Sequence, residues 1–422
     1  MEKEVQNTDR RGRRLLLCIF TVIALALFLG RGICRAWNTG LHDFSSPYAG
    51  CILFWSGGNP YSENDIIRVL NARNAPSNEH TPPVYSPTTF VALIPFSALP
   101  PIAAKFTILT GSVVLLICSI WLWAECLGIP SSPRHILILW VAACNPLHTA
   151  LVVANIALPA TGLSLLGIYL CVKKRPIYGS ILVVLACMLK PQIGAAAAIG
   201  LLTHVNWRIA MWLSISLFSI FGTTVLWLAV KQPAAISGWI SALENECTTG
   251  SISAMSVLAT QRIDPGGLWS GVTGYVLPSI GQAAVACLFA IVIVYMRRQR
   301  LAENDHNSAT HCWLFASAAI FLLLLGYHRG YDALLLCPVW LLIAYLRPPF
   351  RDTWALYLGQ LLWILPGAGF WLWLNNKGIL NFASSHLTQY LWQAVILRLH
   401  AWALLITAVG FVILAHRHST HD

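Results

Sequence analysis

The chain has 422 residues, 57% of them hydrophobic and only 10% charged, with a mean hydropathy of +0.66. Soluble domains carry about 25% charged residues, so this composition excludes a soluble globular protein and leaves an all-α polytopic membrane protein as the fold class. The net charge of +11 would suggest nucleic acid in a soluble chain. Here the basic residues cluster in short loops between apolar runs, where they set topology and touch anionic membrane lipids. No basic-aromatic nucleic-acid module is present.

In chain order, Lys3, Arg10, Arg11, Arg13 and Arg14 precede an apolar run that begins at Leu15. No small-x-small cleavage site follows, so the segment reads as an uncleaved signal anchor with a cytoplasmic N-terminus. Span one, about 15–34, delivers the polar stretch of about 35–87 outside, with Asp43 set among His42, Phe44 and Tyr48. The run Pro87–Pro100 is short and flanked by prolines, which predicts a re-entrant or interfacial helix. Spans at about 103–124, 135–149 and 156–172 lead to the basic loop Lys173-Lys174-Arg175. A pair of short spans follows at about 176–190 and 192–203, then one at 209–230.

A second outer loop covers about 231–277. Within it Ala234–Leu243 has the pattern of an interfacial helix, and Asp264-Pro265-Gly266-Gly267 reads as a turn. Further spans are expected at about 278–296, 311–326, 331–346, 353–373 and 389–415. The basic groups Arg297–Arg300, Arg347–Arg351 and Arg417 then all fall inside. The expectation is a single integral-membrane domain, 1–422, with about 12 crossings and both termini cytoplasmic, in a bacterial plasma membrane. The 12 cysteines are scattered, mostly within spans, and none has zinc-site spacing.

This topology brings Asp43, Tyr85, Asn155, the stretch Lys190-Pro191-Gln192 and the stretch His328-Arg329-Gly330-Tyr331-Asp332 to one outward face. Ionisable groups at membrane depth are costly and are candidates for function.

The same stretches carry a family resemblance. Asp43-Phe44-(x3)-Tyr48 followed by Ser56-Gly57-Gly58-Asn59-Pro60-Tyr61 resembles the opening of family 87 glycosyltransferases, which are polytopic GT-C-type enzymes. That family includes polyprenyl-phosphomannose-dependent mannosyltransferases. Val84-Tyr85-Ser86-Pro87-Thr88 is similar to the family's Tyr-Pro-Pro segment, with Ser86 in place of a proline. Asn145-Pro146 with Asn155 is similar to a segment that often reads Gly-Gln-x-Asn; here Val153-Ala154 stand where Gly-Gln would. Met188-Leu189-Lys190-Pro191-Gln192 and Tyr327-His328-Arg329-Gly330-Tyr331-Asp332 complete the ordered set, from about residue 35 to 346. The resemblance implies a GT-C-like helical bundle whose extracytoplasmic loops carry short interfacial helices. It also implies transfer of a hexose, with mannose the leading candidate, from a polyprenyl-phosphate donor to a glycolipid or glycan acceptor.

The chemistry of such a transfer fits these residue types. The acceptor hydroxyl must lose a proton as it attacks the anomeric carbon, a task for a positioned carboxylate such as Asp43. The departing phosphate needs cations, and Lys190 and Arg329 fit that need. His328 would share proton transfer, hold the acceptor or touch the phosphate. Tyr48, Tyr85, Gln192 and Asp332 are the remaining candidates for substrate binding. The bland readings are a snorkelling Lys190, interface-belt tyrosines and a structural His328–Asp332 pair. No Asp-x-Asp metal motif occurs, and a donor with one phosphate needs no divalent ion, so neither metal nor cofactor is expected. The competing function is a transporter or flippase of lipid-linked sugars, which would call for ionisable groups near the midplane and internal repeats.

Overall fold

Apolar runs punctuated by prolines and short basic loops give this chain helices of two lengths. A computed structural model describes residues 2–75, 84–202, 207–248, 262–273, 308–325, 328–347, 350–377 and 392–420, with a few isolated residues besides. In chain order the helices are α1 (Glu2–Leu27), α2 (Ser45–Ser56), α3 (Glu63–Ala72), α4 (Pro87–Ala92), α5 (Ile94–Ser97), α6 (Pro101–Cys126), α7 (Ser131–Ala143), α8 (Asn145–Val152), α9 (Ala157–Val172) and α10 (Pro176–Leu189). They continue as α11 (Pro191–Leu202), α12 (Trp207–Lys231), α13 (Pro233–Thr248), α14 (Pro265–Thr273), α15 (Ser308–Leu325), α16 (Cys337–Leu346), α17 (Phe350–Leu362), α18 (Ala368–Asn376) and α19 (Leu399–Thr420). A π-helical stretch, Phe28–Cys34, extends α1 to Asn38, and 3₁₀ turns at His42–Phe44 and Gly330–Leu336 precede α2 and α16.

Among the described residues, five segments are long and apolar enough to cross a bilayer: Leu15–Asn38, Pro101–Cys126, Met211–Lys231, Ser308–Leu325 and Leu399–His416. The count is six if α7 and α8, bent by 49°, form one span. The protein is therefore an all-helical membrane protein, and among the described residues fewer full spans are found than the 12 expected. Helices α9, α10 and α11 and the segment Gly330–Leu346 are apolar yet only 10–17 residues long, below the ~20 that a straight span needs. One other expectation changes. The span expected at 353–373 is broken into α17 and α18, with Pro366 between them. The span expected at 278–296 and the basic group at 297–300 lie outside the described residues. The stretch 87–100 forms the short helices α4 and α5 rather than a crossing.

Prolines start α4, α6, α10 and α11, where the missing N–H costs nothing and φ is pre-set. Helices α9 and α10 approach backbone to backbone. A Cβ on Gly167 would lie 2.9 Å from the Gly179 carbonyl oxygen; small residues at such crossings are how membrane helices pack closely. Helix α6 spans 26 residues, about 39 Å, and separates two ends of the bundle. One end gathers Asn38, Lys105, Asn155 and Lys190. The other holds Cys126, whose Sγ lies 3.1 Å from Ser308 Oγ, and the starts of α7 and α15.

Candidate active site

Asp43 follows directly on the first span, and a buried cation fixes the chain that leads to it. Lys105, near the start of α6, is fully buried and donates to the carbonyls of Ala36, Thr39 and Gly40 at 2.7, 2.8 and 2.8 Å. Ammonium at the C-terminal end of a helix is favoured by the exposed carbonyl dipoles. Leu41 and Phe44 are fully buried and anchor both sides of the turn. Between them His42 takes φ +41°, a left-handed conformation that a side-chain-bearing residue adopts at a cost of about 1–3 kcal/mol.

The Asp43 carboxylate accepts from Asn155 Nδ2 at 2.8 Å and lies 3.9 Å from the Arg329 guanidinium. The Asp43 and Arg329 side chains keep 13% and 17% of their exposure. Tyr85 donates its hydroxyl to the Asp43 backbone carbonyl at 3.3 Å, and its own carbonyl accepts from Tyr61 at 3.0 Å. Asn155 is held from behind: its Oδ1 accepts from Lys190 Nζ at 3.2 Å and from the Ala157 N–H at 2.9 Å. Two donors on the oxygen fix the amide orientation, so Nδ2 must face Asp43. Ala154, just before Asn155, has φ +52°, a second strained residue beside the carboxylate.

Lys190 reaches this position because Pro191 follows it. A residue before proline is pushed out of the helical region, and Lys190 adopts φ −147°, ψ 94° between α10 and α11. Its ammonium binds Asp332 at 2.5 Å and stands 4.5 Å from the centre of the Tyr331 ring. Asp332 also accepts from His328 Nδ1 at 3.3 Å and from the Arg329 N–H at 3.2 Å. The His328 ring is 2% exposed, and its Nε2 faces the Leu322 carbonyl at 2.9 Å. A line of contacts thus runs Asp43–Asn155–Lys190–Asp332–His328, with Asp43 at the exposed end. Threonines on α4 brace it, since Thr88 and Thr89 donate to the Met188 carbonyl at 3.2 and 3.1 Å.

The expected site residues therefore separate. Asp43, Arg329 and Tyr85 form the accessible edge. Lys190, expected as a phosphate clamp, is instead turned inward and neutralised by Asp332, with Asn155 and Tyr331 filling its remaining directions. Asp332 and His328, expected at the substrate, are buried behind it, with side chains 3% and 2% exposed. Tyr48 is not brought to the site: it is 1% exposed and donates to the Leu99 carbonyl at 2.7 Å. Gln192 is exposed on the first turn of α11. The turn expected at Asp264 is in fact a buried strut: Asp264 is paired with Arg262 and accepts from the His328 N–H at 3.3 Å, while the Ile263 N–H donates to the His328 carbonyl at 3.0 Å. Lys105 and the link from Asp264 to His328 escaped sequence reasoning because the partners lie far apart in the chain. Asn155 had a signal, but its altered neighbours obscured it.

No curated protein and no solved structure matches the chain. The sequence model of glycosyltransferase family 87 matches residues 84–325. That stretch contains Tyr85, Asn155 and Lys190, and it stops short of Asp43 on one side and of His328–Asp332 on the other. It covers more than half of the chain, which therefore belongs to glycosyltransferase family 87 and is a membrane-embedded glycosyltransferase.

Proposed function

We propose that this enzyme transfers a hexose, with mannose the leading candidate, from a polyprenyl-phosphate donor to a glycolipid or glycan acceptor at the extracytoplasmic membrane surface. The observation that carries this reading is the Asp43 carboxylate, partly exposed, oriented by Asn155 and flanked by Arg329. In the proposed step the acceptor hydroxyl gives its proton to Asp43 as its oxygen attacks the anomeric carbon. The bond from that carbon to the donor phosphate breaks, and Arg329 stabilises the departing phosphate oxygens. A single displacement from the opposite face inverts the anomeric centre. Tyr85 steadies the Asp43 backbone and lines the acceptor side, and Gln192, exposed on α11, is the remaining candidate for substrate contact. Lys190, Asp332 and His328 act as positioning residues, holding Asn155 against Asp43.

The topology in this reading places the basic ends of the helices in the cytoplasm, with both termini there. It counts the shorter helices, and the pass expected at about 278–296, towards about 12 crossings. The transport alternative gains no support, because the linked group Asp43–Asn155–Lys190–Asp332–His328 lies at one end of the bundle. Purified protein incubated with labelled polyprenyl-phosphate mannose and a membrane-lipid extract should form a labelled glycolipid. No product with mannose, glucose or galactose donors would overturn the donor assignment.

A further inference from the structure

The segment 262–273 meets the accessible edge of the site through an antiparallel bridge. Arg262 stands opposite Arg329, and the Ile263 N–H donates to the His328 carbonyl at 3.0 Å. That bond joins the neighbours of the two arginines. Arg262 and Arg329 are therefore a non-hydrogen-bonded pair, whose Cα atoms stand about 4.5 Å apart with their side chains close together. Like charges directly opposite on one face repel. One of the two, Arg329, is the cation 3.9 Å from Asp43.

The chain supplies a counter-charge two residues later. Asp264 accepts from Arg262 Nε at 2.9 Å and from Arg262 Nη2 as well, which makes the pair bidentate. Asp264 also accepts from the His328 N–H at 3.3 Å, so one carboxylate grips both sides of the bridge. Arg262 and Asp264 are both buried. Gly266, on the first turn of α14, leaves room for them: a Cβ there would lie 2.6 Å from Arg262 Nη2 and 2.9 Å from Asp264 Oδ1. The charge of Arg262 is thereby matched within its own segment, while Arg329 stands beside Asp43.

We infer that Asp264 is a positioning residue for recognition of the donor phosphate: by neutralising Arg262 it leaves Arg329 as the cation that meets the phosphate beside Asp43. The inference rests on the role proposed above for Arg329. Released from Asp264, the Arg262 guanidinium would stand across the bridge from Arg329, repelling it or competing with it for Asp43 and the phosphate. A purely structural strut makes the opposite demand on Arg262. If Asp264 only knitted the segment together, removing Arg262 as well would add damage. If Asp264 neutralises Arg262, removing both should restore function, because no charge is left to neutralise.

The test is steady-state transfer by the full-length protein with polyprenyl-phosphate mannose as donor. Asp264→Asn keeps an acceptor for the His328 N–H but frees Arg262. Its donor KM should rise about fivefold, with acceptor KM and the pH profile of kcat unchanged. Gly266→Ala crowds the pair without altering any charge; it should raise donor KM too, and it reads the same interaction if Asp264→Asn does not fold. Adding Arg262→Gln to either variant should return donor KM to within about twofold of the wild type, a clear departure from additivity. Donor KM unchanged in both single variants, or higher still when Arg262→Gln is added, would overturn the inference and leave Arg329 in its role. Arg329→Gln without effect on donor KM would instead overturn the phosphate role of Arg329, and this inference with it.

Discussion

The two ends of this bundle treat buried polarity in opposite ways. At the Asp43 end, Asn155, Lys190, Asp332 and His328 are each tied to a neighbour within 3.3 Å. At the Arg347 end, two indoles and an amide are buried without a hydrogen-bond partner among the described residues. A network completed within the protein is rigid and holds its outermost member, Asp43, in one orientation, which is what acid–base chemistry requires. Buried groups left unsatisfied lend no such rigidity. The same apolar helices build both, and the difference lies in whether the chain supplies a partner for each buried polar group.

The largest effect should come from breaking the Lys190–Asp332 pair. Lys190→Met leaves a buried carboxylate that has lost its main counter-charge, a loss of about 3–5 kcal/mol, visible as a fall in thermal unfolding temperature in detergent. Replacing both, as Lys190→Met with Asp332→Leu, should recover much of that stability while leaving the enzyme slow. A double variant as unstable as the single one would show that the pair does not act as a unit.

Asn155→Ala comes next. It removes a charge-assisted contact to Asp43 worth about 1.5–3 kcal/mol, or about 10- to 100-fold in kcat, with donor KM little changed. A rise in donor KM alone would place Asn155 on the substrate instead. Arg329→Gln should do the reverse, raising donor KM about tenfold by loss of a phosphate contact with a smaller fall in kcat.

The smallest effect is expected at the other end. Gln360→Leu replaces an unsatisfied buried amide with an apolar group, so lipid-free protein should be unchanged or stabilised by about 1 kcal/mol. A marked loss of stability in the lipid-free protein would mean that Gln360 is bonded within the fold and that the contrast between the two ends is false.

Much of the site was legible in the sequence, because Asp43, Arg329 and Tyr85 stand in short motifs beside expected span ends. Asp332, His328 and Lys190 were legible as members of the group, but their inward orientation was not. That orientation depends on Lys190 meeting Asp332 across 142 positions, which no local pattern encodes. Tyr48 was misplaced for a related reason: an aromatic in a membrane loop reads alike whether it faces substrate or packs against the Leu99 carbonyl. The helical class follows directly from composition. The number of full spans does not, since the 3.6-residue period of an apolar run says nothing about whether a break such as that at Pro366 lies at the bilayer centre or its edge.

The measurement that bears most directly on the account is single-turnover transfer by Asp43→Asn with polyprenyl-phosphate mannose at saturation. The asparagine keeps size and polarity but cannot accept the acceptor's proton. The account predicts a rate lower by about 10²–10⁴-fold, with donor affinity and unfolding temperature close to those of the wild type. A variant that retains more than about a tenth of the wild-type rate, against that range, would contradict Asp43 as the base.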